Sequence, residues 1–216
     1  NLFALVLGST SVLLSVLLRI NILYQPNSFD ILCWTSFYFI VIKYFKTEHY
    51  KWLYTGAVVF AVGFLNKYNL VFLLVGFAPA ILFSKQRNIF LQKHFYGAIL
   101  LALVLISPNI IWQYQNHFPV IHHMKELAAT QLVNVKRYEF LLNQLMFFTG
   151  SLVVIIAALI GLIVYKPFRN YQSFFWAFVF TLAVFTYLKA KGYYAIGLYP
   201  VYIAFGSVYL TVVLKD

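Results

Sequence analysis

An all-α, polytopic membrane protein is the fold class this sequence predicts, and three observations carry the prediction. Hydrophobic residues fill 63% of the 216 positions and charged residues only 10%, where a soluble domain carries about 25% charged residues. Apolar stretches close to the length of a membrane helix recur along the chain with few charges between them. Aromatic residues reach 20%, and many of the 17 tyrosines and 4 tryptophans lie beside charged connections, where interfacial belts form.

The elements follow in order. A first apolar segment covers residues 2–18, and a polar stretch, 19–30, follows it. Residues 29–45 form the second segment, which ends in Lys46-Thr-Glu-His-Tyr-Lys51. Segments three and four, 52–65 and 70–83, are short and are separated by Asn66-Lys67-Tyr68-Asn69. After the basic connection 85–93 comes segment five, 95–112. A longer polar stretch, 113–143, precedes segments six (145–165), seven (174–188) and eight (196–214). Within 113–143, Ile121, Met124, Leu127, Ala128 and Leu132 recur at helical spacing, and so do Tyr138, Leu141, Leu142 and Leu145. Charged positions between them predict short amphipathic helices lying in the interface plane.

Basic residues in short loops set the orientation. Placing Lys46 and Lys51, then Lys85, Arg87 and Lys93, then Lys166 and Arg169, then Lys215 on the cytoplasmic side lets all eight segments alternate. The connections 19–30, 66–69, 113–143 and 189–194 then face outward. No fixed-period repeat, low-complexity tract or linker divides the chain, so 1–216 reads as one transmembrane domain. Its start at Asn1, inside an apolar run and without an initiator Met, reads as a fragment of a larger membrane protein lacking its amino-terminal part.

A net charge of +11 points to nucleic acid in a soluble protein. Here basic loops that anchor to anionic headgroups account for it, and no nucleic-acid partner is expected. The single cysteine, Cys33, excludes an intramolecular disulfide and a cysteine metal site, and reads as a packing residue. His117, His122 and His123 have no i,i+4 pair, so no metal site is expected, and no cofactor is indicated. Neither a Ser-His-Asp arrangement nor a Gly-rich phosphate loop is present.

The unusual features are cations on the outward side. Arg19, Lys67, Lys189 and Lys191 flank apolar runs, and basic groups held there call for an anionic partner, of which a lipid phosphate is the obvious one. Lys67 sits in Gly63-Phe-Leu-Asn-Lys-Tyr-Asn69. It is either a lysine snorkelling to water or a phosphate ligand, with Asn66 and Asn69 as polar neighbours. Lys189-Ala-Lys-Gly-Tyr-Tyr-Ala195 is either an interfacial belt or a phosphate grip, in which Lys189 and Lys191 act as point charges and Tyr193 and Tyr194 donate hydrogen bonds. Gly192 gives that loop a permissive position for a tight turn. Asp30, one of 5 acids, opens segment two after Asn27 and Ser28, either of which suits a helix cap. It either serves the helix dipole or faces an outward cavity and takes part in catalysis.

Taken in order, Gln25-Pro-Asn-Ser-Phe-Asp30, Gly63-Phe-Leu-Asn-Lys-Tyr68, Ser107-Pro-Asn-Ile-Ile-Trp112 with Asn116-His-Phe-Pro119, and Lys189-Ala-Lys-Gly-Tyr-Tyr194 with Leu198-Tyr-Pro200 resemble the protein mannosyltransferase and aminoarabinose transferase superfamily. The resemblance implies the GT-C membrane fold and a polyprenyl-phosphate-linked sugar donor. Transfer is then expected to a lipid, glycan or protein acceptor on the outer face of the cytoplasmic membrane. It implies a catalytic carboxylate in a first outer loop, which this stretch of chain does not include, and a second acid at the start of a later helix, where Asp30 stands. The donor phosphate maps onto Lys67 with Lys189 or Lys191. Arg19, Asn66, His117 and His122 are expected to line the substrate site. The rival expectation is a transporter or flippase of lipid-linked saccharides, with segments three and four as broken helices at its site.

Overall fold

The computed structural model describes residues 1–214, so Lys215, assigned above to the cytoplasmic side, lies outside the described residues. In chain order the α-helices are α1 (Leu2–Leu13), α2 (Val16–Ile22), α3 (Asn27–Thr47), α4 (Lys51–Asn66), α5 (Val71–Leu82) and α6 (Lys93–Gln115). They continue as α7 (Pro119–Thr130), α8 (Arg137–Phe147), α9 (Leu152–Val164), α10 (Gln172–Tyr187) and α11 (Tyr199–Val213). Short 3₁₀ turns fill several joints, including Tyr68–Leu70, Lys85–Leu91, Lys166–Tyr171 and Gly192–Leu198. No strand is present among the described residues.

Each apolar segment expected from the sequence has a helical core. Three stretches, Asn27–Thr47, Lys93–Gln115 and Gly192–Val213, are long and apolar enough to cross a bilayer unbroken. Three more are bent pairs: α1 and α2 meet at 63°, the stretch Tyr68–Leu82 meets Lys85–Leu91 at 110°, and α8 meets the stretch Thr149–Val164 at 61°. The first bend has a local cause. Ser15 leaves the helical region and its hydroxyl accepts from Leu17 N–H, which caps a new helix. The remaining two, α4 and α10, have 16 residues each, roughly 24 Å of helix, short of a hydrocarbon core of about 30 Å. The helices expected in the stretch 113–143 are present as α7 and α8.

Packing runs through close helix pairs: α5 against α10, α9 against α11, and α4 between α3 and α6. Small residues permit the closest approaches, as is usual where helices meet in lipid. A Cβ at Gly76 would collide with Thr181 across the α5–α10 contact, and one at Gly206 with the Val154 carbonyl across α11–α9. An aromatic cluster of Tyr38, Phe77, Phe174 and Tyr202 fills the centre. Cys33 is buried and unpaired, in a packing role. By contrast α6 is mostly uncovered, with Leu100, Leu103 and Val104 exposed, as befits a face turned to lipid.

The polar connections sort to the two ends of the bundle. Lys67 Nζ donates to Asn27, Gln113 donates to Tyr68, Gln144 donates to the Gly192 carbonyl, and Lys191 donates to Gln131. These bonds tie together all four connections expected to face outward. At the opposite end, Tyr44 donates to Gln92 at 3.0 Å and Gln86 donates to the Asn170 carbonyl at 2.7 Å. The basic connections gather there.

Candidate functional site

The end of the bundle that gathers the connections 19–30, 66–69, 113–143 and 189–194 contains one ion pair, the only one among the described residues. Lys67 Nζ stands 3.6 Å from Asp30 Oδ2. The chain places both groups at helix ends: Asp30 in the first turn of α3, Lys67 in extended backbone just after α4. A 3₁₀ turn at Tyr68–Leu70 then starts α5, so Lys67 is held inside a break between helices.

Neither Asn27 nor Ser28 caps α3, contrary to the expectation from the sequence. The cap position falls on Pro26, which has no side-chain acceptor to offer. Asn27 Oδ1 instead accepts from Lys67 Nζ at 2.8 Å, and Ser28 Oγ donates to the Ile20 carbonyl at 3.2 Å, closing the turn from α2. Asp30 is buried, and its carboxylate turns to Lys67 and Asn69.

The third partner is the loop before α11. Lys67 Nζ lies 5.2 Å from the Tyr193 ring centre and 5.1 Å from that of Tyr194, within cation–π range. Asn69 Nδ2 donates to the Tyr194 carbonyl at 2.8 Å and reaches Asp30 Oδ2 at 3.4 Å. An ammonium has three donors. Asn27 engages one of them, Asp30 Oδ2 stands at ion-pair distance, and the Lys67 side chain keeps 19% exposure. Burial pushes Lys67 below the usual lysine range, and the Asp30 charge pulls it back. Two acceptors stay unused: Asp30 Oδ1 and Asn69 Oδ1 are buried without a hydrogen-bond partner.

Gly192 has no left-handed backbone, so the permissive turn expected there is absent. The residue is needed for space, because a Cβ would stand 2.8 Å from Asn143 Cβ on α8. The left-handed position belongs to Lys189, at φ 53°. Ala190 N–H bonds back to the Phe185 carbonyl and Lys189 N–H to that of Thr186, which ends α10 in a Schellman turn.

Among the described residues, the other expected site residues make no hydrogen bond or ion pair with Lys67 or Asp30. Lys191 donates to Gln131 beyond α7, and Lys189 makes no ion pair or side-chain hydrogen bond among the described residues. Asn66 Nδ2 donates to the Pro26 carbonyl at 3.1 Å, bracing the turn before Asn27. Arg19, His117 and His122 are exposed. No group of three or more His, Cys, Asp and Glu side chains is arranged to hold a metal ion among the described residues.

Sequence reasoning missed Asn27 as a ligand of Lys67 and Asn69 as the bridge to Tyr194. It also missed the chain in which Gln113 Nε2 donates to Tyr68 Oη at 2.8 Å and Tyr68 donates to Asn109 at 2.8 Å. The available signal was rarity, since each is a polar residue at the edge of an apolar run.

Comparison with known proteins bears on the same region. A family model described as dolichyl-phosphate-mannose-protein mannosyltransferase matches residues 1–112, which include Asp30, Lys67 and Asn69. Searches of curated proteins and of solved structures return no match. The family match spans more than half of the 216 residues, and it joins an all-α bundle with membrane-length helices: the chain belongs to the dolichyl-phosphate-mannose-protein mannosyltransferase family and is a membrane glycosyltransferase.

Proposed function

We propose that the protein transfers a sugar from a polyprenyl-phosphate-linked donor to a cell-envelope acceptor at the outer face of the cytoplasmic membrane. The observation that carries this reading is the meeting of Asp30, Lys67 and the Tyr193–Tyr194 pair, from three distant motifs, around one ammonium. In glycosyl transfer the bond from the anomeric carbon to the phosphate oxygen breaks as the acceptor oxygen attacks. Negative charge then grows on the departing polyprenyl phosphate. A fixed cation aimed at that charge stabilises the transition state.

Lys67 fills this role, with its position held by the Asn27 hydrogen bond and the Asp30 charge. Lys189 and Lys191, in the adjoining loop, add positive field, and Tyr193 and Tyr194 supply ring faces and hydroxyls. Asp30, buried beside Lys67, orients the ammonium through Oδ2 and so acts on the reaction through Lys67. Arg19, Asn66, His117 and His122 border the approach of the substrates. The break between α4 and α5 also suits a transporter site, and the assay separates the two readings. Membranes containing the protein as its gene encodes it are given a radiolabelled polyprenyl-phosphate sugar and an acceptor extract. Covalent product that falls roughly 10²-fold or more in Lys67→Ala, at unchanged protein level, supports the transferase. Label that crosses the bilayer still attached to its lipid overturns it.

A further inference from the structure

A second site lies at the other end of α3. An apolar cavity of about 240 Å³ opens there between α3, α4, α5 and α6, bordered by Phe37, Tyr44, Trp52, Ala57, Phe90 and Ala98. Its α3 residues begin at Phe37 and end at Phe45. That is seven to fifteen positions past Asp30, roughly 10 to 22 Å along the helix. The cavity is larger than the ~150 Å³ apolar cavity that stays dry and takes up benzene, and its lining is almost entirely hydrocarbon. Water gains nothing in such a space, so a chain of methylenes is the fitting occupant.

The rim decides which lipid supplies that chain. The end of α3 with the loop after it, 43–51, and the stretch 85–94 flank the lining residues Tyr44, Phe45, Trp52 and Phe90 and carry Lys43, Lys46, Lys51, Lys85, Arg87 and Lys93 against one acid, Glu48. None of these cations is in an ion pair among the described residues. Around them stands an aromatic collar: Tyr50 stacks on His94 at 4.5 Å, Tyr54 Oη lies 3.2 Å from His94 Nδ1, and Lys51 lies over Trp52 at 5.3 Å. Aromatics at this level mark the depth of the headgroups, and unpaired cations beside them attract anionic lipid.

We propose that this cavity binds one acyl chain of an anionic phospholipid of the leaflet that the basic connections face, with its headgroup phosphate held by Lys51 and Lys93. The site is separate from the Asp30–Lys67 cluster and does not depend on the reaction assigned to it. Purified protein is reconstituted in phosphatidylcholine nanodiscs with and without phosphatidylglycerol, and retained lipid is read by native mass spectrometry. A single phosphatidylglycerol is expected to be retained, favoured over phosphatidylcholine by about tenfold, the scale of one or two basic contacts. Lys51→Gln/Lys93→Gln is expected to bring the two lipids to parity. Gly56→Leu fills the cavity, where an added Cβ meets nothing nearer than 3.5 Å, and is expected to abolish retention of either lipid. Should Gly56→Leu fail to fold, the charge variant alone decides. Equal retention of the two lipids by the unmodified protein overturns the proposal. So does a polyprenyl phosphate in place of the diacyl lipid, or undiminished preference in Lys51→Gln/Lys93→Gln.

Discussion

The Lys67 ammonium lies 3.6 Å from Asp30 Oδ2, yet the two side chains are unequally hidden: 19% of the lysine is exposed and only 4% of the aspartate. The two partners therefore differ in what each loses without the other. Removing the lysine strands a carboxylate that has no route to water, and breaking a buried pair in this way costs about 3–5 kcal/mol. Removing the aspartate charge leaves an ammonium that still has Asn27 and can reach toward solvent.

Lys67→Met is therefore expected to destabilise the protein by about 3 kcal/mol or more, and Asp30→Asn by about 1–2 kcal/mol. The double variant is expected to lose less than the sum, because the stranded charge is gone. Denaturant unfolding in micelles reads all three. If Asp30→Asn is the more damaging single change, the lysine is the dependent member and the carboxylate its anchor.

Helix positions were legible in the sequence because apolar runs are long and charges rare, so each of the eight segments found its helix. The bends were less so. The change from the apolar run 70–83 to the basic connection 85–93 marks where segment four ends, and Ser84 caps the turn there, but nothing in the sequence sets its angle of 110°. At the site, Asp30, Lys67, Tyr193 and Tyr194 were legible as polar groups that lipid cannot satisfy. Their partners were not. Local spacing made Asn27 a cap and Gly192 a turn residue, whereas contacts with Lys67, just past α4, and Asn143 on α8 decide both. Sequence period tells which face of a helix is apolar, not which distant helix lies against it.

Lys189 separates a backbone role from a charge role. Its φ of 53° is a conformation that a side chain disfavours by roughly 1–2 kcal/mol and glycine does not. Lys189→Gly is expected to raise thermal stability by up to about 1 kcal/mol while lowering sugar transfer through the lost positive field. Lys189→Ala removes the same charge without relieving the backbone, so it should lose transfer equally with no gain in stability. Full transfer in both variants would leave Lys189 as a turn residue only.

The last prediction concerns how α6 and α7 are tethered to the site. Tyr68 follows Lys67 directly, and its hydroxyl donates to Asn109 while accepting from Gln113, both on α6. Gln113 is buried and spends its carbonyl on the Val120 N–H at 3.2 Å, in the first turn of α7. Tyr68→Phe removes one hydroxyl and leaves the Gln113 amide buried without an acceptor, a loss of about 1–3 kcal/mol. The Gln113 side chain is then free to turn toward another acceptor, which releases the Val120 N–H. Hydrogen exchange at residues 118–122 is expected to quicken in Tyr68→Phe, while exchange across the centre of α11 stays unchanged. The same pattern in Gln113→Leu would show that the tether runs through this one amide. Unchanged exchange at Val120 in both variants would mean that α7 is seated by its apolar face, through Leu127, and that the polar chain only fills the gap beside Lys67.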